Sequence, residues 1–338
     1  MKAAVYKGKQ QFEIEEIPTP EPGPGQILMK VRYCAICGTD VHAFLYDIAP
    51  PGTVLGHEFC GTVVRVGSAV TKWQEGDRIV GGGGEPPAGQ ARATRTQPRF
   101  NYRTMGFPEG SIRAYAEYIV LDEWAPLPVP DGVPDEAATL TEPCAVAVRA
   151  VRNSRMKLGD TVGVIGAGPI GLLVLQAARA AGAGAVFISE PAPARARAAA
   201  ELGAHTVINP TEENATDRMV ELTGGIGPDV VFDCAGIRNT LDQAFDTVRR
   251  DGQVVLVAVP WEPMPLNPVD WMVGEKEFKA SWGSQPDDWR RSLELMEAGK
   301  ITVGPLLSES SYVPLEGIQE AFEALTSPST QLQMIVKP

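Results

Sequence analysis

Hydrophobic and polar residues follow different patterns in the two parts of this chain. Up to residue 80, short alternating or apolar runs are separated by clusters of proline and glycine, and the segment 18–25 (PTPEPGPG) cannot be helical. This pattern predicts a small antiparallel barrel or sandwich. The predicted strands are 3–6, 12–17, 27–35, 61–66 and 77–80.

From residue 145 onward, short apolar runs alternate with helical patterns. Such alternation is typical of a parallel sheet covered by helices on both faces, and the runs match a doubly wound dinucleotide-binding fold. A further helix at 287–298 precedes mixed segments that we expect to return to the first domain. The runs cover 162–165, 185–189, 206–208, 229–233, 253–259 and 278–282, and the helices between them are predicted at 169–181, 195–202, 215–222 and 240–249.

Composition narrows the class of protein. The 338 residues carry 30 Lys and Arg against 42 Asp and Glu, a net charge of −12, which argues against nucleic acid or an anionic membrane as a partner. The first residues contain no apolar signal-peptide core, and no apolar stretch reaches the roughly 18 residues that a spanning helix needs. Five cysteines without disulfide-framework spacing fit a reducing compartment, so we expect a cytoplasmic protein.

A glycine-rich turn lies between the first predicted strand of the second part and its first helix. Gly166 allows a tight turn, Gly168 allows close approach to a pyrophosphate, and Gly171 allows close packing of helix on strand. Pro169 and Ile170 complete this candidate cofactor-binding segment, GAGPIG. Alone, such a pattern can also be a plain turn, but its strand–turn–helix context favours dinucleotide binding.

Glu190 ends the next predicted strand, about 20 residues after the glycine turn, where dinucleotide folds carry an acid that binds the ribose. A carboxylate there accepts hydrogen bonds from both ribose hydroxyls of NAD and repels the 2′-phosphate of NADP. The residue could also be an ordinary solvated acid, and Arg195 and Arg197 nearby could hold a phosphate instead. We favour NAD(H) over NADP(H).

Cys37, His57 and Glu142 combine the thiolate, imidazole and carboxylate groups that bind tetrahedral zinc, and three protein ligands leave the fourth position open for chemistry. Taken separately, each residue is ordinary, since a lone cysteine is usually a small buried hydrophobe and a lone histidine is usually structural. The combination with a dinucleotide fold is what favours a catalytic metal site.

The sequence resembles the zinc-dependent alcohol dehydrogenases of the medium-chain dehydrogenase/reductase superfamily, particularly their sorbitol and butanediol dehydrogenase branch. The resemblance implies an α/β protein in which a mostly β, GroES-like catalytic domain (1–146 and 287–338) accompanies a doubly wound Rossmann domain that binds NAD (147–286). It rests on CGTDVH at 37–42, GHEFCGTVVRVG at 56–67, EGDRIV at 75–80, AEYIV at 116–120, EPCAVAVRA at 142–150, GAGPIG at 166–171 and ELGA at 201–204.

The resemblance also implies roles for individual residues. Cys37, His57 and Glu142 match the catalytic zinc ligands. Glu58 matches a second acid that can approach the zinc, and Asp40 matches the partner that orients the ligand histidine.

Four further matches concern substrate and cofactor. Thr39 matches the hydroxyl that bonds the substrate oxygen, and His42 matches the outer end of a proton relay. Arg195 matches a basic residue against the adenosine ribose, and Val146 matches a residue that packs on the nicotinamide. The substrate pocket is expected near Thr39, residues 44–46, the segment 81–107, and Trp261 or Trp282.

One departure from the family concerns zinc stoichiometry. Most relatives carry four closely spaced cysteines for a structural zinc after the GDRIV strand, whereas the segment 81–107 contains none. We therefore expect one zinc per chain and no structural zinc. The segment carries Arg92, Arg95, Arg99 and Arg103, which hint at an anionic ligand or a subunit interface, although a solvated loop is favoured. Structural packing is expected for Cys34, Cys60, Cys144 and Cys234.

Together these features predict a zinc-dependent enzyme that transfers a hydride between NAD and a secondary alcohol, diol, polyol or cyclic alcohol and its ketone. Two alternatives are a zinc-free, NADPH-dependent quinone or enone reductase of the same superfamily and a non-catalytic NAD-binding sensor. The resemblance further implies a homodimer or homotetramer joined through the apolar edge strand at 278–282.

Overall fold

The computed structural model describes residues 1–87, 110–264, 267–326 and 331–338. Contacts divide the chain into two compact units, one formed by Met1–Glu142 with Leu307–Pro338 and the other by Pro143–Leu306. The four arginines of the segment 81–107 lie outside the described residues, as does most of that segment.

The helices and strands follow in chain order. The strands are β1 Lys2–Gly8, β2 Gln11–Glu16, β3 Gln26–Ala35, β4 Thr53–Val54, β5 Glu58–Val66, β6 Arg78–Val80, β7 Tyr118–Asp122, β8 Leu127–Pro128, β9 Thr161–Ile165, β10 Ala185–Ser189, β11 Thr206–Ile208, β12 Val230–Asp233, β13 Gln253–Leu256, β14 Glu277–Ala280, β15 Tyr312–Pro314 and β16 Ile335–Lys337. The helices are α1 Gly38–Leu45, α2 Asp135–Thr139, α3 Thr141–Asn153, α4 Pro169–Ala180, α5 Pro193–Glu201, α6 Ala215–Leu222, α7 Thr240–Thr247, α8 Pro268–Gly274, α9 Pro286–Glu297 and α10 Ile318–Leu325.

The first unit is built on mostly antiparallel sheets. One sheet has the order β2-β1-β4, and the larger one has the order β15-β16-β3-β5-β6-β8 with β7 also paired to β3. Its core is rich in aromatic rings that contact one another, because alternate strand residues and one face of α10 point inward. These rings are Tyr6, Phe12, Phe44, Tyr115 and Phe322.

The second unit contains one parallel sheet of six strands in the order β11-β10-β9-β12-β13-β14. Renumbered within the unit, this is the order 3-2-1-4-5-6 of the doubly wound dinucleotide-binding fold. The central strands β9, β10 and β12 are mainly apolar and mostly buried, as expected when helices cover both faces. The predicted fold class is confirmed.

Helix α9 packs within the second unit, whereas the predicted boundary at residue 287 assigned it to the first. The carboxylate of Asp288, only 1 % exposed, forms ion pairs with Arg149 and Arg152 of α3. The apolar side of α9, including Leu293 and Met296, is also buried. Paired buried charges anchor a helix strongly, because breaking one pair leaves an uncompensated charge.

The outer edge of the parallel sheet carries an apolar surface. Val269, Met272 and Val273 of α8 are 61 %, 78 % and 73 % exposed, and Phe278 of β14 is 39 % exposed. Among the described residues, no helix combines the length and the apolar character needed to cross a bilayer.

Candidate metal centre and cofactor site

Cys37 and His57 come together because of strand pairing in the first unit. Strand β3 pairs antiparallel with β5, and Ala35 lies opposite Glu58. Residues just beyond the end of β3 and just before the start of β5 therefore meet at one edge of the sheet. The ligand atoms of Cys37, His57 and Glu58 all lie within 4.8 Å of one another.

The backbone on each side of this cluster is specialised. Cys37 is the N-cap of α1, and its Sγ accepts a hydrogen bond from the backbone N–H of Thr39 at 3.4 Å. Gly56 precedes His57 with a φ of +98°, and a Cβ there would lie 2.8 Å from Sγ of Cys34 and 2.9 Å from the ring of Tyr115. Only glycine fits this turn without strain.

Glu142, the second residue of α3, lies near the cluster but is not one of the three grouped residues. Burial, followed by the charge of Glu142, raises the pKa of Glu58 to about 8. Two carboxylates that disfavour each other's ionised form in a buried place are stabilised by a cation between them. Within the described ranges, no other group of three such donors lies together.

Burial and neighbouring charged groups shift the pKa values of the other two grouped residues. Burial, followed by the charge of Glu58, raises the pKa of the Cys37 thiol to about 11. Burial alone would lower the pKa of His57, but the nearby Asp40 and Cys37 outweigh it and raise that pKa well above its usual value. The Oδ1 atom of Asp40 lies 3.4 Å from Nδ1 of His57.

The predicted relay residues Thr39 and His42 are three positions apart on α1, and both are half-buried. Such residues are neighbours on a helix surface. The Nδ1–H of His42 donates to the carbonyl of Gly38 at 2.6 Å, which leaves Nε2 as the acceptor in the neutral ring. Phe44, which was expected near the substrate pocket, packs in the core and is 2 % exposed, whereas the exposed Tyr46 stacks on His42.

In the second unit, the glycine turn has the geometry that its sequence predicts. Gly166 has a φ of +91°, and a Cβ on Gly171 would lie 1.9 Å from the carbonyl oxygen of Gly166. Gly168 is the N-cap of α4, Pro169 is in its first turn, and a Cβ on Gly168 would meet nothing within 4 Å. The open space at Gly168 is what a pyrophosphate at a helix N-terminus requires.

Glu190 ties this turn to the end of β10. Its carboxylate is 3 % exposed and accepts hydrogen bonds from the backbone N–H groups of Ala167 at 2.7 Å and Ala192 at 2.8 Å. Each carboxylate oxygen keeps a second lone pair for a ligand hydroxyl. Nearby on α5, the buried Nε of Arg195 has no hydrogen-bond partner in the described part of the chain.

Comparisons with known proteins show the family to which the chain belongs. The alcohol dehydrogenase GroES-like domain matches residues 23–131, and the zinc-binding dehydrogenase domain matches residues 169–298. The (R,R)-butanediol dehydrogenase of Bacillus subtilis strain 168 is 33 % identical over the full length of both chains. The chain belongs to the zinc-binding dehydrogenase family.

Three further comparisons also match dehydrogenases over nearly the full length of both chains. The sorbitol dehydrogenase of Bacillus subtilis strain 168 is 29 % identical to this dehydrogenase, with 100 % of this chain and 97 % of the relative covered. The crystal structure of the Bacillus subtilis 2R,3R-butanediol dehydrogenase matches with a TM-score of 0.87 at 32 % identity, covering 100 % and 99 % of the two chains. A putative zinc-binding dehydrogenase from Sinorhizobium meliloti 1021, bound to NADP, matches with a TM-score of 0.87 at 29 % identity and the same coverage.

The donor set of the dehydrogenase fits zinc. A thiol, an imidazole and neighbouring carboxylates are the ligand types that zinc accepts. In the described residues, Oε2 of Glu58, one of the three grouped donors, is buried without a hydrogen-bond partner. Such orphaned acceptors cost stability unless a ligand, ion or rearrangement satisfies them, so a cation at this place would complete the site.

The sequence analysis missed one residue of this site. Tyr115 is fully buried and donates a hydrogen bond to Oδ2 of Asp40 at 2.8 Å. The two residues are 75 positions apart, and Tyr115 directly precedes the AEYIV motif. Its pattern is that of an ordinary core aromatic, so only the folded structure connects it to the metal centre.

Proposed function

We propose that this dehydrogenase uses one zinc ion and a nicotinamide dinucleotide to interconvert a secondary alcohol and its ketone. The proposal rests chiefly on the grouping of Cys37, His57 and Glu58, whose ligand atoms lie within 4.8 Å of one another. Butanediol and sorbitol, in the names of two relatives, are a diol and a polyol. Diols, polyols and cyclic alcohols are therefore the substrate classes that we propose.

Cys37, His57 and Glu142 are the proposed zinc ligands, and Glu58 is the acid beside them. When bound there, zinc would supply a Lewis acid that lowers the pKa of an alcohol, and a nicotinamide dinucleotide would supply a hydride acceptor. Among the protein groups, the hydroxyl of Thr39 accepts the substrate proton as it releases its own proton towards His42. Nε2 of His42, one helical turn further on, carries that proton towards solvent.

NAD(H) is the proposed cofactor in preference to NADP(H). The buried Glu190 carboxylate accepts a hydrogen bond from the N–H of Ala167 in the glycine turn. It therefore lies at the position where this fold binds the adenosine ribose of a dinucleotide. Arg195 supports the opposite preference, because a guanidinium can neutralise a 2′-phosphate, and one relative is bound to NADP. We give Glu190 more weight because its position is fixed by two backbone hydrogen bonds. Val146 is the proposed packing residue for the nicotinamide.

A homodimer or homotetramer is the proposed assembly. The exposed apolar side chains of α8 and the edge of β14, which pairs with no further strand among the described residues, form a surface that a second copy of the chain would cover. Closed pairing of two edge strands removes the risk of open-ended aggregation. The expected cytoplasmic location stays a prediction.

The ligand assignment is tested by replacing one carboxylate. Glu142→Ala should weaken zinc binding by more than about 100-fold, because loss of a direct ligand exceeds the usual effect of outer-shell partners. NAD-linked oxidation of 2,3-butanediol and sorbitol should fall with the zinc content. Glu316→Ala, which removes a half-exposed glutamate paired with Lys2, should change neither quantity. Full zinc content and full activity in Glu142→Ala would show that the ligand assignment is wrong.

A further inference from the structure

Tyr115 and Asp40 form a buried hydrogen-bonded pair directly behind the metal centre. Both residues are 0 % exposed, and the hydroxyl of Tyr115 donates to Oδ2 of Asp40 at 2.8 Å. The other carboxylate oxygen, Oδ1, has no hydrogen-bond partner in the described part of the chain and faces Nδ1 of His57 at 3.4 Å. Within those residues, Tyr115 is thus the hydrogen-bond donor that fixes this carboxylate.

Tyr115 also contacts the backbone on both sides of the cluster. Its hydroxyl lies 3.3 Å from the carbonyl oxygen of Ala35, two residues before Cys37. Its ring lies so close to Gly56, immediately before His57, that a Cβ there would be 2.9 Å away. The backbone N–H of Tyr115 donates to the carbonyl of Leu55 at 2.9 Å. One side chain therefore contacts the turn that carries each of the two ligands.

We propose that Tyr115 is a positioning residue for the metal centre, which holds Asp40 so that its free oxygen orients the imidazole of His57. The inference rests on the proposed function, since it concerns the affinity of the proposed zinc site. A histidine ligand whose second ring nitrogen is held by a carboxylate binds metal more strongly, because its tautomer and orientation are fixed. Without the tyrosine hydroxyl, that carboxylate loses its only hydrogen bond among the described residues and can rotate away from the ring.

The chain offers a matched control for this role. Tyr6 is also 0 % exposed, belongs to the same core, and donates a hydrogen bond to Oδ1 of Asp47 at 2.6 Å. Asp47 is not one of the grouped metal donors. Tyr6→Phe and Tyr115→Phe thus remove the same group from the same core, but only the second variant removes a bond to the metal centre.

The test measures zinc affinity of metal-free protein by competition with a chromophoric chelator. Tyr115→Phe should bind zinc about tenfold more weakly, the lower end of the effect of outer-shell partners, whereas Tyr6→Phe should stay within about twofold of the wild type. Urea unfolding of the metal-free variants should show similar losses of stability, which separates positioning from packing. The metal site of Co²⁺-substituted Tyr115→Phe should also show an altered visible spectrum.

Two further variants show whether Tyr115 acts through Asp40. Asp40→Asn should weaken zinc binding, and the double variant should bind zinc no more weakly than Asp40→Asn alone. Additive effects, or an unchanged affinity in Tyr115→Phe, would overturn the inference. If Tyr115→Phe does not fold, unchanged zinc affinity in Asp40→Asn would overturn it equally. Failure of the wild type to bind zinc would overturn the proposed function itself.

Discussion

At the scale of single residues, the site is a set of buried polar groups whose charges are balanced only in part. Glu58 and Asp40 keep unpartnered oxygens among the described residues, and the pKa of Glu58 is raised to about 8 by burial and by Glu142. Buried groups with strongly shifted pKa values are most common at functional sites. The same residues that make the metal-free site costly are therefore the ones that we propose as zinc ligands or their partners.

The pH dependence of alcohol oxidation should report on His42. Burial lowers its pKa below the usual 6.5, and the bond to the carbonyl of Gly38 offsets this only in part. His42 is therefore neutral at pH 7 and accepts a proton, and this capacity is lost as the pH falls through its lowered pKa. The rate of oxidation should show an inflection below pH 6.5.

The variant His42→Gln provides the comparison. We expect its turnover at pH 7 to fall by about 100-fold, the lower end of the effect of positioned proton-transfer groups, and the inflection to disappear. Tyr46→Phe, next to the ring of His42, should keep the inflection. An inflection that persists unchanged in His42→Gln would exclude His42 from the relay.

At the scale of elements, the glycine turn shows how one motif serves both packing and binding. Gly171 lies against the backbone of Gly166, and the fold therefore requires a glycine at position 171. The space at Gly168 is open. Gly168 has a φ of −66°, which any residue adopts. Substitution by alanine is therefore expected to lower stability at Gly171 but not at Gly168.

Gly171→Ala should destabilise the protein, and Gly168→Ala should not. A Cβ only 1.9 Å from a backbone oxygen forces the helix off the strand, at a cost of more than about 3 kcal/mol, beyond the usual range for overpacking. Gly168→Ala should leave urea unfolding unchanged but weaken NADH binding, measured by fluorescence titration. Equal effects of the two variants on stability would contradict this division.

The sequence predicted the parallel sheet better than the short helices. All six strands of that sheet were found at the predicted places, because continuous apolar runs bounded by glycine and helical patterns are a strong signal. Helix α1 was missed because its N-cap is Cys37, which is not among the residues that usually mark a helix start. Helix α3 was missed because it is rich in valine, which lowers helix propensity.

The metal site was predictable only in part. Cys37 and His57 could be named from their motifs, and the pairing of β3 with β5 brings them together in the structure. The grouping of Glu58, rather than Glu142, with these two residues depends on side-chain positions that no sequence spacing fixes. The bond between Tyr115 and Asp40 joins residues 75 positions apart in the chain, so no local pattern indicates it.

At the scale of the whole molecule, the chain combines a metal-donor unit and a dinucleotide-binding unit, each with its own core. The exposed apolar surface of α8 and β14 belongs to the second unit. Contiguous apolar patches of this kind on a folded protein usually mark an interaction site. We therefore predict from this surface that the protein assembles into a homo-oligomer.

A charge in this surface should break the assembly. Met272→Asp introduces a carboxylate where 78 % of the side chain is exposed, and burying an unpaired charge in an interface is unfavourable. We expect the wild type to be a dimer or tetramer by light scattering coupled to size exclusion, and the variant to be smaller. Ile226→Asp, at a residue that is 67 % exposed outside this surface, should keep the wild-type mass. A monomeric wild type would refute the proposed assembly.

We propose that the chain carries one catalytic zinc. This proposal is tested most simply by measuring the zinc content of folded, chelator-washed protein by inductively coupled plasma mass spectrometry. We predict about one zinc per chain, held by three protein ligands. A content near zero in protein that is folded and has never been stripped of metal would contradict it. Two zinc ions per chain would contradict the expectation that no structural zinc is present.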